Sequence, residues 1–292
     1  MEMQSKPSLA QRLKTLIIGG ARSPHDRTIF HKLSLIAFFA WVGLGADGLS
    51  SSCYGPEEAF LALGEHHYLS IFIALGSALT IFVISASYSQ IVELFPTGGG
   101  GYLVASKLLS PTFGMLSGCA LLIDYVLTIT ISVASGADAL FSFLPEGWHF
   151  FNKLEFAIVG VVILTLLNLR GIKESVVPLS PIFLTFLITH VFAIVYALVS
   201  HFMNFPEVVQ STIVDVQQAH TEVGLAGMVF LILRAYSMGS GTYTGIEAVS
   251  NGLPILREPK VQTAKRTMRY MAISLAFTVM GLMFAYLLYR VE

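Results

Sequence analysis

Long apolar segments recur along the chain, separated by short polar connections, and their length sets the first reading. About 20 consecutive residues of largely apolar character are needed to cross a bilayer. Seven segments fit that pattern, at roughly 34–64, 68–94, 112–143, 155–170, 178–202, 225–252 and 268–289. The fourth is the shortest and opens on Glu155. Two of the seven are interrupted. In the first, Leu44-Gly-Ala-Asp47-Gly-Leu-Ser-Ser-Ser-Cys-Tyr54-Gly-Pro puts a carboxylate, glycines and three serines where an unbroken membrane helix would continue. In the sixth, Arg234-Ala-Tyr-Ser-Met-Gly-Ser-Gly-Thr-Tyr243-Thr244-Gly-Ile-Glu247 does the same. Polar groups released in mid-bilayer need protein or water to satisfy them. The pattern therefore predicts discontinuous first and sixth helices, the arrangement in which secondary transporters hold substrates.

The two interruptions share a motif. Tyr54-Gly-Pro-Glu-Glu58-Ala59 aligns with Tyr243-Thr-Gly-Ile-Glu247-Ala248, each reading Tyr-x-x-x-Glu-Ala. Segments five spans apart run in opposite directions through the membrane, so the match points to an inverted repeat of five helices. The alternative is that the glycines only let helices pack closely.

Basic residues divide unevenly between the connections. Lys6, Arg12, Lys14, Arg22, Arg27 and Lys32 fill the N-terminal arm; Lys107, then Arg170 and Lys173, then Arg257, Lys260, Lys265, Arg266 and Arg269 fill alternate loops. The intervening loops hold only Lys153 and the chain end only Arg290, and Arg234 lies inside a span. The positive-inside rule then places the N-terminus in the cytoplasm of a multi-pass cell-membrane protein. Residues 1–32 form a basic arm, either a short amphipathic helix on Leu9, Leu13, Leu16 and Ile17 or an unstructured tail. Residues 33–292 form the transporter domain, and 206–223 reads as an external, partly helical connection.

Composition narrows the function. The chain is 54% hydrophobic and 12% charged, with mean hydropathy +0.72. A soluble domain carries about 25% charged residues. Net charge of −1 hides the asymmetry between the loops and says nothing useful about partners; no nucleic acid is expected among them. Cys53 and Cys119 lie in apolar segments and imply neither a disulfide framework nor a metal cluster. No nucleophile–base pair or cofactor motif is present, so the reading is not an enzyme and needs no cofactor. No cleavable signal peptide is visible.

Three carboxylates fall near mid-membrane: Asp47, Asp124 and Glu247. Ionised carboxylates buried together repel one another. A bound cation, a proton on one of them, or Arg234 as partner would relieve the repulsion. Hydroxyls accompany each acid: Tyr54 with Asp47, Tyr125 and Thr128 with Asp124, Tyr243 and Thr244 with Glu247. Carboxylate, hydroxyl and carbonyl oxygens suit a hard monovalent cation. Arg234 is expected in a gating or structural ion pair, ahead of substrate contact. His190 reads as a packed or hydrogen-bonded core histidine, while Glu57, Glu58 and Asp138 read as acids reaching water or helix ends. Glu93, Pro96 and Gly98–Gly101 form a tight turn with close backbone approach, or part of an inner gate.

These residues resemble a known family. Asp47-Gly-Leu-Ser-Ser-Ser-Cys-Tyr54, Phe95-Pro-Thr-Gly-Gly-Gly-Gly-Tyr, Asp124-Tyr125-Val-Leu-Thr128, Asn168-Leu-Arg-Gly-Ile-Lys-Glu-Ser and Thr244-Gly-Ile-Glu247-Ala-Val-Ser-Asn-Gly are similar to segments of KimA-type potassium importers within the amino acid–polyamine–organocation superfamily. The resemblance implies a LeuT-like inverted-repeat fold, all-α, with potassium as substrate and a proton as coupling ion. It places the cation site on Asp47, Tyr54, Asp124, Tyr125, Thr128, Thr244 and Glu247. Such a fold has at least ten core helices, so a seven-span chain is expected to be a fragment, working as a homodimer or with a separate C-terminal half, or inactive. The alternative function is an amino acid or amine permease; Asp47 would repel a substrate carboxylate, whereas an amine stays compatible. A second alternative is a non-transporting scaffold or sensor. Membrane lipids and a small cation or amine are the expected partners.

Overall fold

A computed structural model describes residues 34–145 and 152–291, together with Thr15. The amphipathic-arm reading of residues 1–32 otherwise lies outside the described residues. The rest is helical: α1 Ala37–Ala62, α2 Ser70–Leu94, α3 Gly100–Leu108, α4 Pro111–Ser142, α5 Lys153–Arg170, α6 Ile172–Ser200, α7 Phe205–Met238, α8 Ile246–Asn251 and α9 Lys260–Tyr289. Short 3-10 turns cover His67–Leu69, Phe202–Asn204, Gly239–Tyr243 and Leu253–Ile255. Five stretches among the described residues are long and apolar enough to cross a membrane: His67–Leu94, Pro111–Ser142, Ser175–Ser200, Phe202–Asn251 and Lys260–Tyr289. α1 falls short of that apolarity because of its polar middle, and α5 because Lys153, Glu155 and Arg170 fall within its 18 residues.

Local chemistry starts the helices where the sequence places it. Pro111 opens α4 at a position with no amide to satisfy, behind Ser110, whose side chain accepts from the Phe113 amide at 3.4 Å. Glu155 accepts from the Asn152 amide at 3.1 Å, so the acid that opens the fourth apolar segment caps its helix.

The first segment is not discontinuous. α1 runs as an uninterrupted α-helix through Asp47, the three serines and Pro56. Ser50 and Ser52 turn their hydroxyls back onto the carbonyls of Asp47 (2.8 Å) and Leu49 (2.7 Å), keeping their polarity within the helix. Its glycines serve close approach instead of unwinding. Gly48 lies against the Thr244 carbonyl, and Gly55 against Thr242 and the Gly239 carbonyl. The interruption of the sixth segment is real, and it rests in the groove those small residues leave on α1.

α9 packs along α2, α1 and α6, while α4 leans mainly on α3 and α5. Two apolar clusters hold the centre. One gathers Val42, Leu49, Ile81, Ile246, Val249, Leu253, Met268 and Leu275; the other gathers Phe60, Leu63, Leu69, Ile73, Val208, Ala235, Met283 and Leu287. The start of α1 is pinned to the segment after α8 by a parallel bridge, Leu35 N–H to the Ile255 carbonyl and Arg257 N–H to the Leu35 carbonyl, both 2.9 Å. Glu93 pairs with Lys265, joining the end of α2 to α9, and Asp138 pairs with Lys153 between α4 and α5.

The 206–223 connection is helical throughout, forming the first part of α7 before a kink at Gly224 (φ 70°, ψ 173°). It is fastened to the α1–α2 loop by a buried carboxylate. Asp215 meets His66 Nδ1 at 2.6 Å and accepts from the Tyr68 amide at 3.0 Å, while His66 Nε2 lies 3.4 Å from Glu222. Taking away the imidazole strands a buried acceptor, at about 1–3 kcal/mol. His66→Ala is expected to lower thermal stability by that amount, whereas exposed Glu58→Ala is expected to stay within about 0.5 kcal/mol. Equal midpoints for the two variants would show that the clasp carries no stability.

Candidate functional site

The break after α7 has a local cause. Gly239-Ser-Gly-Thr-Tyr-Thr-Gly is a run of poor helix formers. The chain tightens to a 3-10 turn over Gly239–Tyr243, extends at Thr244 (φ −64°, ψ 152°), and reverses at Gly245 (φ 88°) before α8 begins. Positive φ at Gly245 is open to glycine at little cost. A Cβ there would also stand 3.0 Å from the Gly48 amide nitrogen and 3.4 Å from Asp47 Oδ2. Gly245→Ala is accordingly expected to cost at least about 1–2 kcal/mol, read as a lower unfolding midpoint. A midpoint equal to that of the parent chain would contradict this account of the turn.

The same geometry brings Asp47 on α1 to the break. Glu247, in the first turn of α8, accepts from the Gly245 amide at 3.1 Å, which anchors one carboxylate oxygen beside it. Asp124 on α4 is near enough to act electrostatically on both acids, and Asp47 acts on Glu247 in the same way. The Tyr125 hydroxyl feels all three carboxylates. The three acids and Tyr125, all half-buried, therefore converge on one region. None of the three acids has a salt-bridge partner among the described residues.

Tyr54 and Thr244 meet through a residue the motifs did not single out. Buried Ser51 lies 2.7 Å from the Tyr54 hydroxyl and 3.4 Å from Thr244 Oγ1, so it links α1 to the break. Thr244 Oγ1 also donates to the Gly241 carbonyl at 3.0 Å. Thr128 sits on α4 four residues beyond Asp124 and half-buried, on the same helix face. The structure records no hydrogen bond joining Thr128 to the other members.

Arg234 does not fill the role expected of it. It is exposed and makes no ion pair among the described residues. Helical phase explains this: Ala235 is the buried neighbour, and one residue earlier the side chain points out of the bundle. His190 does behave as a hydrogen-bonded core residue. Its Nδ1 lies 2.8 Å from the Phe186 carbonyl and its Nε2 3.4 Å from Cys53 Sγ. With Nδ1–H donating to the carbonyl, Nε2 is left to accept from the thiol.

Three further polar residues border the site. Tyr88 on α2 feels Glu247 and Tyr125, Ser77 lies 2.8 Å from the Tyr243 hydroxyl, and Asn251 Nδ2 donates to the Tyr125 hydroxyl at 3.0 Å. The signals existed. Tyr88 stands in the hydroxyl-rich run Ser85-Ala-Ser-Tyr88-Ser within an apolar span, and Asn251 follows Glu247 by four residues. A cavity of about 480 Å³ lies between α1 and α6, but its lining is mostly apolar, with Ser50, Asn168 and Ser175 as polar members, and includes none of the site residues.

The Gly-rich turn between α2 and α3 approaches the other end of α8. Gly98, Gly99 and Gly100 all have positive φ (88°, 96° and 45°). A Cβ at Gly98 would stand 2.8 Å from Pro254, and one at Gly100 would stand 2.2 Å from Asn251 Oδ1. The tight turn with close backbone approach is thus present, pressed against the segment that follows the break.

Comparison with known proteins identifies the family. The family model described as "Amino acid permease" matches residues 33–289. The chain is 34% identical, over 82% of its length, to the potassium transporter KimA of Bacillus subtilis (strain 168), and that match covers 39% of the relative. It is also 30% identical over 99 residues, 33% of its length, to the low-affinity putrescine importer PlaP of Escherichia coli, in strains K12 and O157:H7, covering 20% of that protein. The chain therefore spans well under half the length of these relatives. A match to the permease family across nearly the whole chain, on an all-helical multi-pass architecture in keeping with a LeuT-like arrangement, leads to one statement: this chain belongs to the amino acid permease family.

Proposed function

We propose that the chain carries a monovalent-cation site of a secondary transporter, with potassium as the transported ion and a proton as coupling ion. Asp47, Asp124 and Glu247 supply the charge. Tyr125, with Tyr54, Thr128 and Thr244 around the break, supplies neutral oxygens. The observation that carries this reading is the meeting of three carboxylates at the broken segment with no basic side chain among the described residues paired to them. Three like charges in a poorly solvated region cannot all stay ionised without a counter-charge. A bound cation neutralises one and a proton another, so movement of the two species is linked by electrostatics alone. Seven spans, an N-terminus in the cytoplasm and residence in the cell membrane complete the proposal, with α1 crossing as a site-lining helix shielded by its neighbours. The relative named as a potassium transporter supports the choice of ion.

An organic diamine is the second reading, favoured by the shorter match to a putrescine importer. The two separate in one experiment on the purified chain in detergent, with thermal unfolding followed in potassium, sodium, choline or putrescine chloride. A ligand at one hundred times its Kd adds about 2.7 kcal/mol to the folded state. Stabilisation by potassium and not by choline is expected. Stabilisation by putrescine alone would move the assignment to the amine, and equal midpoints in all four salts would end the cation reading.

A further inference from the structure

We infer that Asn251 is a positioning residue of the site, holding the Tyr125 hydroxyl in place and linking that hold to the seating of the Gly98–Gly100 turn. The inference rests on the cation reading above.

The Asn251 side chain reaches two elements at once. Its Nδ2 donates to the Tyr125 hydroxyl at 3.0 Å, across from α8 to α4. Its Oδ1 faces Gly100, where a Cβ would stand only 2.2 Å away. An amide nitrogen can only donate, so the tyrosine oxygen is the acceptor and its own proton is left to point elsewhere. Glu247, Asp47 and Asp124 lie near enough to act electrostatically on this hydroxyl. Asn251 thereby fixes which lone pair of Tyr125 is used and which remains for a cation.

The carboxamide is planar and short, so its two ends cannot move independently. The turn packs against Oδ1, so its seating bears on the direction of Nδ2. The lack of a side chain at Gly100 is what lets the turn come this close. Withdrawal of the turn would release the amide and leave Tyr125 without its donor. A change at the junction of α2 and α3 is in this way felt at the cation site through one side chain.

The test is a potassium titration of the unfolding midpoint in the parent chain and in Asn251→Ala, Tyr125→Phe and the double variant. The concentration giving half the stabilisation is expected to rise about tenfold in Asn251→Ala, the effect of one well-placed hydrogen bond. The double variant is expected to match Tyr125→Phe, because removing the hydroxyl leaves Asn251 nothing to position. A purely packing role would lower the ion-free midpoint and leave the half-saturating concentration unchanged, which would overturn the inference. Multiplying effects in the double variant would overturn it as well. Should Asn251→Ala fail to fold, Asn251→Ser is read by the same titration, since its short hydroxyl cannot span the gap to Tyr125. A parent chain indifferent to potassium would instead bring down the cation reading itself, a result distinct from the other two.

Discussion

Gly55→Val is expected to lower stability by about 3 kcal/mol or more, at the top of the range for overpacking a tight interface. The reason is that backbone lies on both sides of the contact. A Cβ at Gly55 would stand 2.1 Å from Thr242 Oγ1 and 3.1 Å from the Gly239 carbonyl. One at Gly239 would in turn stand 2.9 Å from the Ala59 Cβ and 3.0 Å from the Gly55 carbonyl. Thr242 is fully buried and has nowhere to turn. Relief therefore requires α1 and the broken segment to separate, which would also pull Ser51 from Thr244. Gly136→Val on α4, where no atom lies within 4 Å of the added carbon, is the matched control and should cost about 0.5 kcal/mol or less. Equal thermal midpoints for the two variants would remove close approach as the reason for glycine at position 55.

Asp47→Asn is expected to act in opposite directions with and without the ion. In potassium, loss of one of three charges should weaken binding about a hundredfold, or about 2.7 kcal/mol. Without potassium, the same change relieves repulsion between Asp47 and its two acidic neighbours, so the variant should unfold at a higher temperature than the parent. A structural aspartate would lose stability in both conditions. The pair of midpoints, in potassium and in choline chloride, separates the cases. A variant that keeps the full potassium response would exclude Asp47 from the site.

The sequence showed one interruption correctly and misread the other, and the difference lies in what each glycine faces. Gly239, Gly241 and Gly245 follow one another with Ser, Thr and Tyr between them, and Gly245 takes a positive φ as the turn requires. Gly45, Gly48 and Gly55 are spaced along a helix that its serines help to satisfy, and they serve packing. Composition is similar in both places. Closely spaced glycines with a positive φ at Gly245 unwind the sixth segment, whereas the more widely spaced glycines of α1 leave the helix intact and admit a neighbour.

Charge was legible in kind and not in pairing. The three acids could be named from their improbable position in apolar segments. Arg234 satisfied the same criterion, yet one step of helical phase turns it outward. Ser51 and Asn251 stood inside quoted motifs and Tyr88 in a hydroxyl-rich run, yet none was assigned a role, because a neutral polar side chain acquires one only when its partner is in view.

Taken alone, the order of residues determined residence in the membrane, the break at the sixth segment and the inventory of acids and hydroxyls, since these follow from local apolarity and backbone preference. The tertiary structure decided the rest: the unbroken first helix, the outward arginine, and the shared amide of Asn251. Each depends on which surface lies across a gap of a few ångströms, and that is set by chain segments far apart in sequence.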